Sequence, residues 1–289
     1  MFLILLQHIF YILFFIEITR KIIDFKNKKV IVLGGSSGLG LELCKLIKSL
    51  GGSVTVVGRN KEKLKKLENE FTIKNYDITE EFINDSCEYD YIFCCVGQST
   101  PKYFTDTSDE EIKKMLLQNL YSPVNALKLF YKYNTKPFTY TVIASSLALY
   151  SIPGYSVYSA TKAGLLNFFN AAKLETKKVQ IKIYLTSTIY TEAFEIENRI
   201  KPQLTKSFES TSFNKYCSPE QRAFDLIRSM GYRNIIASDI FTYLAMINKE
   251  CECVKDYVFL PVAVIYNLIF NLYCKYFFRE LKNNKIYFQ

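Results

Sequence analysis

Residues 29–57 read "KVIVLGGSSGLGLELCKLIKSLGGSVTVV", and this stretch decides the fold. It begins with a β-branched apolar run, Lys29–Leu33, of the kind that fills a buried parallel strand. A glycine-rich turn follows. Leu39, Leu43, Leu46, Ile47 and Leu50 then recur at helical spacing, and Gly51-Gly52 stops them before a second apolar run, Ser53–Val57. Strand, turn, helix and strand in that order make a βαβ unit.

The alternation continues downstream. "EKLKKLENEF" (62–71) reads as helix, while "TIKNYD" (72–77) and "YDYIFCCVG" (89–97) read as strands. Residues 108–133 read as one long amphipathic helix, 138–146 as a strand, 157–178 as a long helix and 180–187 as a strand. Such alternation predicts an α/β fold, a doubly wound parallel sheet of Rossmann type, in a single soluble domain over residues 27–240.

The turn in the opening unit is spaced Gly34-x-x-x-Gly38-x-Gly40, with Ser36, Ser37 and Leu39 between the glycines. Glycine there permits a tight turn, a close approach of backbone to a pyrophosphate, and close packing of helix on strand. The N–H groups at the helix start then face the phosphate charge, and the two serines add hydroxyl donors. At the end of the second strand, "VVGRN" offers Arg59 and no acid. A forked guanidinium suits a ribose 2′-phosphate, which points to NADPH rather than NADH. The alternative is that Arg59 is a surface residue at a helix start. Asp77, after the third strand, either meets the adenine or caps a helix.

Tyr158 and Lys162 in "YSVYSATKAG" (155–164) are four apart and so share a helix face. A phenol with an ordinary pKa near 10 becomes a usable proton donor and acceptor beside an ammonium and a cationic nicotinamide ring. Ser145 ends the strand before it, where its hydroxyl reaches the same substrate oxygen, and Ser146 is the alternative. Asn119 is placed to link a water chain to Lys162.

Together "GGSSGLG" (34–40), Asn119, Ser145 and "YSATK" (158–162) resemble the short-chain dehydrogenase/reductase family over about residues 28–240. The resemblance implies one doubly wound domain that uses NAD(H) or NADP(H). It implies Tyr158 as proton donor or acceptor, Ser145 orienting the carbonyl, Lys162 on the ribose and lowering the Tyr158 pKa, and Asn119 supporting the relay. It also places Gly97, in the loop "CCVG" (94–97), beside the adenosine. The segments "GRNKEKL" (58–64), "FEIENRIKP" (194–202), "CSPEQRA" (217–223) and "ASDIFTYL" (237–244) resemble a branch of that family. That branch reduces the 3-keto group of long-chain sphingoid ketones with NADPH, at the endoplasmic reticulum membrane with the active site facing the cytosol. The sequence departs from the family pattern at Leu33, at "CCVG" and at "STIYTEA" (187–193).

The chain has 289 residues, 49% hydrophobic, with a formal charge of +9. Its lysines are dispersed and no arginine-rich tract occurs, so nucleic acid is not expected as a partner. The eight cysteines include no C-x-x-C pair and His8 is the lone histidine, so no metal site is expected. Residues 1–20 carry an almost unbroken apolar run followed by Arg20, Lys21 and Lys26, which predicts a membrane anchor with the basic side in the cytosol. Residues 241–289 carry a second apolar stretch interrupted by Pro261, Asn267 and Asn271. It reads as a membrane-associating segment, either spanning or an interfacial helix pair. Residues 190–217 read as a lid over the substrate, and helices 108–133 and 157–178 as the faces of a homodimer. Two rivals remain at this stage: another membrane ketoreductase acting on a very-long-chain 3-oxoacyl-CoA, a steroid or a retinoid, and a non-catalytic dinucleotide-binding scaffold or redox sensor using Cys94 and Cys95.

Overall fold

The β-branched runs become the strands of one parallel sheet. In this computed structural model, which describes residues 22–79, 88–211 and 217–283, the strands are β1 (Lys29–Leu33), β2 (Ser53–Gly58), β3 (Thr72–Asn75), β4 (Tyr91–Cys94), β5 (Phe138–Ile143), β6 (Val179–Leu185) and β7 (Ile235–Ala237). They lie in the order β3-β2-β1-β4-β5-β6-β7, and every pairing is parallel. The order reverses between β1 and β4, which opens a crevice at their C-terminal ends. Side chains of β1 alternate between two cores. Ile31 and Leu33 pack with Tyr140 and Phe169 on one face, and Val30 and Val32 pack with Leu43, Ile47 and Leu226 on the other.

Helices cover both faces: α1 (Gly38–Ser49), α2 (Lys61–Lys65), α3 (Asp109–Leu116), α4 (Ser122–Tyr133), α5 (Ser156–Glu175), α6 (Glu192–Ile200), α7 (Gln203–Thr211), α8 (Pro219–Ser229), α9 (Ile240–Ile247) and α10 (Val254–Asn283). The expected helix over 62–71 shrinks to α2, held at its start by the Asn60 side chain on the Lys63 N–H; the remainder is turns. The expected long helix over 108–133 is continuous in direction but not in type. Leu117–Tyr121 is a π-helical turn between α3 and α4, in which the Ser122 hydroxyl donates to the Leu117 carbonyl at 2.7 Å. The extra residue rotates Gln118 and Asn119 into the interior, which an uninterrupted apolar period does not reveal. β7 is also absent from the expectation, because its apolar run is short and is followed directly by a helix.

The C-terminal stretch is one helix, α10, and not a pair. Asp256 fixes its base: fully buried, it accepts from Arg233 at 2.9 and 2.8 Å and from the Tyr243 hydroxyl at 2.8 Å. Along α10 one stripe, with Phe259, Ala263, Tyr266, Phe270, Cys274, Phe277 and Phe278, packs on the domain. Asn267, in the same stripe, donates to the Ala263 and Leu244 carbonyls. The other face leaves Ile265, Leu268, Ile269 and Leu272 exposed. Residues 254–279 are long and apolar enough to cross a membrane. The expected anchor over residues 1–20 lies outside the described residues.

Candidate active site

The loops that follow β1, β4, β5 and β6 open on a single cleft of about 490 Å³. One end is the glycine loop. Gly34, Ser37, Gly38, Leu39 and Gly40 line it, and Gly97 lines the facing loop. At Gly40 a Cβ would stand 2.3 Å from the Gly34 carbonyl oxygen, so only glycine lets the loop fold back on the helix. Gly34 has φ +80°, and a Cβ there would meet the Cys95 carbonyl carbon at 3.1 Å. The start of α1 at Ser37 has no side-chain cap, whereas Asn60, Ser108, Thr191, Ser218 and Asp239 each cap their own helix. The first N–H groups of α1 are therefore left facing the cleft. The Ser99 hydroxyl, also on the cleft wall, is buried without a hydrogen-bond partner. A cradle without side chains, an uncapped helix start and an unsatisfied hydroxyl fit an anionic dinucleotide.

The other expected cofactor residues are placed less directly. Ser36 lines no part of the cleft; its hydroxyl lies behind the loop, 2.8 Å from where a Gly58 Cβ would stand. Arg59 and Asp77 sit side by side at the ends of β2 and β3, with guanidinium and carboxylate 3.5 Å apart, outside the cleft wall. Partial burial pushes the Asp77 carboxyl up, but the Thr79 N–H and hydroxyl that it accepts from, with Arg59, together hold it below the ordinary carboxylate range. Arg59 remains largely exposed at the rim.

Tyr158, Lys162 and Ser145 line the middle of the cleft, and Asn119 is buried behind the Gly97 loop. Lys162, on α5, is almost wholly buried and donates to the Ile143 carbonyl at the end of β5, at 3.0 Å. A Cβ on Gly97 would lie 3.2 Å from both the Lys162 Nζ and the Asn119 Oδ1, so these two groups flank the same glycine. The Asn119 side chain accepts from the Gln98 N–H at 2.7 Å and donates to the Gln98 carbonyl at 2.8 Å, locking the π turn to the β4 loop. The Tyr158 ring centroid is 5.7 Å from the Lys162 Nζ. Tyr158 shares a hydrogen bond with Ser145, whereas Ser146 bonds Tyr150. Both serines line the cleft, and Ser145 is the one that bears on the Tyr158 phenol.

The electrostatics differ from the expectation in one respect. Burial pushes the Tyr158 phenol up, the charge of Glu197 adds to this, and only the Ser145 hydrogen bond opposes it. Burial also lowers Lys162, to about 8. The ammonium is directed at a carbonyl and not at the phenol, so desolvation outweighs its pull on Tyr158. The phenol thus rests protonated, the form a proton donor needs.

At the far end of the cleft the sequence reading expects a lid over 190–217 but does not single out Glu197, Phe208 or Glu209. Glu197 on α6 and Phe208 and Glu209 on α7 line this end together with Tyr150, Ile152 and Tyr155. These helices fall where a lid was expected. Glu197 lies within the segment "FEIENRIKP", but its role is not readable there, because its neighbours in the cleft come from α5 and α7. The loop after β6 is held from outside: Arg222 donates to the Ser187 hydroxyl at 2.7 Å and to the Ser238 carbonyl. Cys94 is buried within β4 and Cys95 starts the next loop; burial pushes both thiols up, which starves them of the reactive thiolate and disfavours a redox-sensing role.

Residues 28–203 match the family described as short chain dehydrogenase. Over 213 residues the chain is 30% identical to a 3-ketodihydrosphingosine reductase of Cryptococcus neoformans, covering 64% of this chain and 63% of that protein. It is 26% identical over 222 residues to a PIGF/3-ketodihydrosphingosine reductase fusion protein of Schizosaccharomyces pombe, covering 68% of this chain and 45% of that one. The chain thus spans less than two thirds of the length of these curated relatives. Among solved structures, a short chain dehydrogenase from Burkholderia cenocepacia in complex with NADP matches with a TM-score of 0.63 at 15% identity, over 78% of this chain and 94% of that one. The glycine cradle, the sheet order and the match over residues 28–203 lead to one assignment: the chain belongs to the short chain dehydrogenase family.

Proposed function

We propose that this protein is a membrane-attached, NADPH-dependent reductase of a long-chain sphingoid ketone, converting 3-ketodihydrosphingosine to dihydrosphingosine. The observation that carries the reading is the meeting of Tyr158, Ser145 and Lys162, backed by Asn119 behind Gly97, between a glycine cradle and a largely apolar end of the cleft. The relatives named for this reaction supply the substrate class.

Bound at the glycine loop, a nicotinamide dinucleotide would supply hydride to the keto carbon. The backbone from Gly34 to Gly40, with Ser37, would hold its phosphates, and Lys162 its ribose. Arg59, exposed at the rim, is the residue suited to a 2′-phosphate, through its forked donors. Tyr158, protonated at rest, donates its proton to the carbonyl oxygen as negative charge develops there, and Ser145 donates a hydrogen bond to the same oxygen. Lys162 stabilises the phenolate that results. Asn119 holds the β4 loop against the site.

The apolar end of the cleft suits a long alkyl chain, and its wall continues into α10. Phe208 lies 5.3 and 5.4 Å, between ring centroids, from Phe278 and Phe277, and Tyr150 lies 5.0 Å from Phe270. A helix packed on the domain along one stripe, with its opposite face apolar and exposed, suits an interfacial position better than a span. A lipid ketone would then pass from the bilayer along α10 into the cleft. Together with residues 1–20 as an anchor, this supports an endoplasmic reticulum membrane location, with the catalytic domain, residues 27–240, on the cytosolic side.

The test is direct. Purified protein given 3-ketodihydrosphingosine should oxidise NADPH and form dihydrosphingosine. Failure to do so, with turnover of a very-long-chain 3-oxoacyl-CoA, would replace this substrate with the rival.

A further inference from the structure

One buried ionisable group in the cleft serves neither the cofactor end nor the proton transfer. Glu197 projects from α6 into the cleft wall beside Tyr155 and Tyr158, and its carboxylate accepts a hydrogen bond from the Tyr155 hydroxyl at 3.3 Å. The cation nearby is Lys201, whose side chain has no exposure to solvent. Its ammonium is committed elsewhere: it donates to Glu209 at 2.6 Å and lies over the rings of Phe194 and Tyr155 at 4.6 and 5.5 Å. Lys201 and Glu209 offset each other, and among the described residues Glu197 makes no ion pair. The surrounding wall is apolar, with Ile152, Phe194 and Phe208. Farther along the cleft, Lys63 and Glu192 neutralise each other at 2.7 Å.

A carboxylate held in such a place is unfavourable unless a cation meets it. Burial already pushes Glu197 up to about 7, and the charge of Glu209 adds to this while Lys201 and the Tyr155 hydrogen bond oppose it. Glu197 reaches Tyr158 through Tyr155, whose ring lies 5.9 Å from that of Tyr158, and this placement suggests which cation. We propose that Glu197 binds the protonated amino group of the substrate and thereby selects ketones that carry a primary amine on the carbon next to the carbonyl. This rests on the sphingoid-ketone reading, because 3-ketodihydrosphingosine has its amine on that carbon. Tyr158 and Ser145 on the carbonyl oxygen and Glu197 on the neighbouring ammonium orient the ketone by two contacts, where an alkyl chain alone would orient it poorly.

The test compares 3-ketodihydrosphingosine with its N-acetyl derivative of the same chain length, in detergent micelles with NADPH. The wild type should favour the free amine. Glu197→Gln should lower kcat/KM for the amine about 10- to 100-fold, mostly through KM, as expected for loss of a charge-assisted hydrogen bond. The same variant should leave the N-acetyl ketone nearly unaffected. Tyr155→Phe should act in the same direction but less. Because the amide removes a buried charge, the variant should melt no lower than the wild type. An unchanged ratio of the two substrates, in a variant that still reduces the sphingoid ketone, would overturn the proposal alone. A wild type inert toward the sphingoid ketone would instead overturn the proposed function, and this selectivity with it. Should Glu197→Gln not fold, the wild-type ratio decides: a value near one overturns the proposal.

Discussion

At the glycine-loop end of the cleft the walls are backbone: Gly34, Gly38, Gly40 and Gly97, with the uncapped start of α1 between them. At the substrate end the walls are large side chains brought from α5, α6 and α7, with α10 packed behind them. The first end is built from nearby residues whose identity is forced by geometry. The second is built from residues far apart in sequence whose identity is set by what they must contain. A dinucleotide offers phosphates that backbone N–H groups can hold, so the first end needs space more than chemistry. The lipid ketone proposed as substrate would offer a long chain and one polar end, for which the second end supplies apolar volume with few polar contacts placed in it.

The largest effect should come where the two ends meet. Tyr158→Phe removes the proton donor and should lower kcat about 10³-fold, with NADPH binding retained by fluorescence titration. An active variant would reduce the whole cleft to a binding site. At the backbone end, Gly40→Ala drives a Cβ to 2.3 Å from the Gly34 carbonyl, and should weaken NADPH binding about 10²-fold while the protein remains folded by circular dichroism. Arg59→Ala should raise KM for NADPH about tenfold and leave KM for NADH unchanged. Equal losses for both cofactors would mean that Arg59 serves only the Asp77 pair.

Acidity gives a subtler comparison. Lys162 has its pKa lowered by burial to about 8, so its ammonium is lost as pH rises through that value. kcat/KM should therefore decline above about pH 8, by about tenfold per pH unit. A profile flat to pH 10 would show that the charge on Lys162 is not needed. The smallest effect on chemistry should come from the outer face of α10. Leu268→Asp with Leu272→Asp, at positions 60% and 57% exposed, should reduce flotation with lipid vesicles and leave NADPH binding unchanged. Undiminished flotation would move the attachment elsewhere, residues 1–20 included.

Legibility follows the same division. The glycine loop, the βαβ unit and the Tyr158–Lys162 pair are readable because each is a local spacing with one physical cause: a turn, a strand period or a helix face. Asn119 was readable as a residue type but not in position, because the π turn that rotates it inward leaves no trace in the apolar period. The serine pair is ambiguous in spacing, and only the packed cleft separates them, with Ser145 bearing on Tyr158 and Ser146 on Tyr150. Arg59 was readable as a residue at the end of β2, yet its pairing with Asp77 across the sheet edge was not.

By itself the sequence determined the parallel sheet and the glycine turn and singled out the proposed proton-transfer residues, since these depend on contacts within a turn or between neighbouring elements. The tertiary structure alone decided the direction of the Tyr158 shift, the inward placement of Glu197 and the docking of α10 beside the cleft. Each of those is a matter of burial and of which distant groups become neighbours, and burial is a property of the packed chain and not of any segment of it.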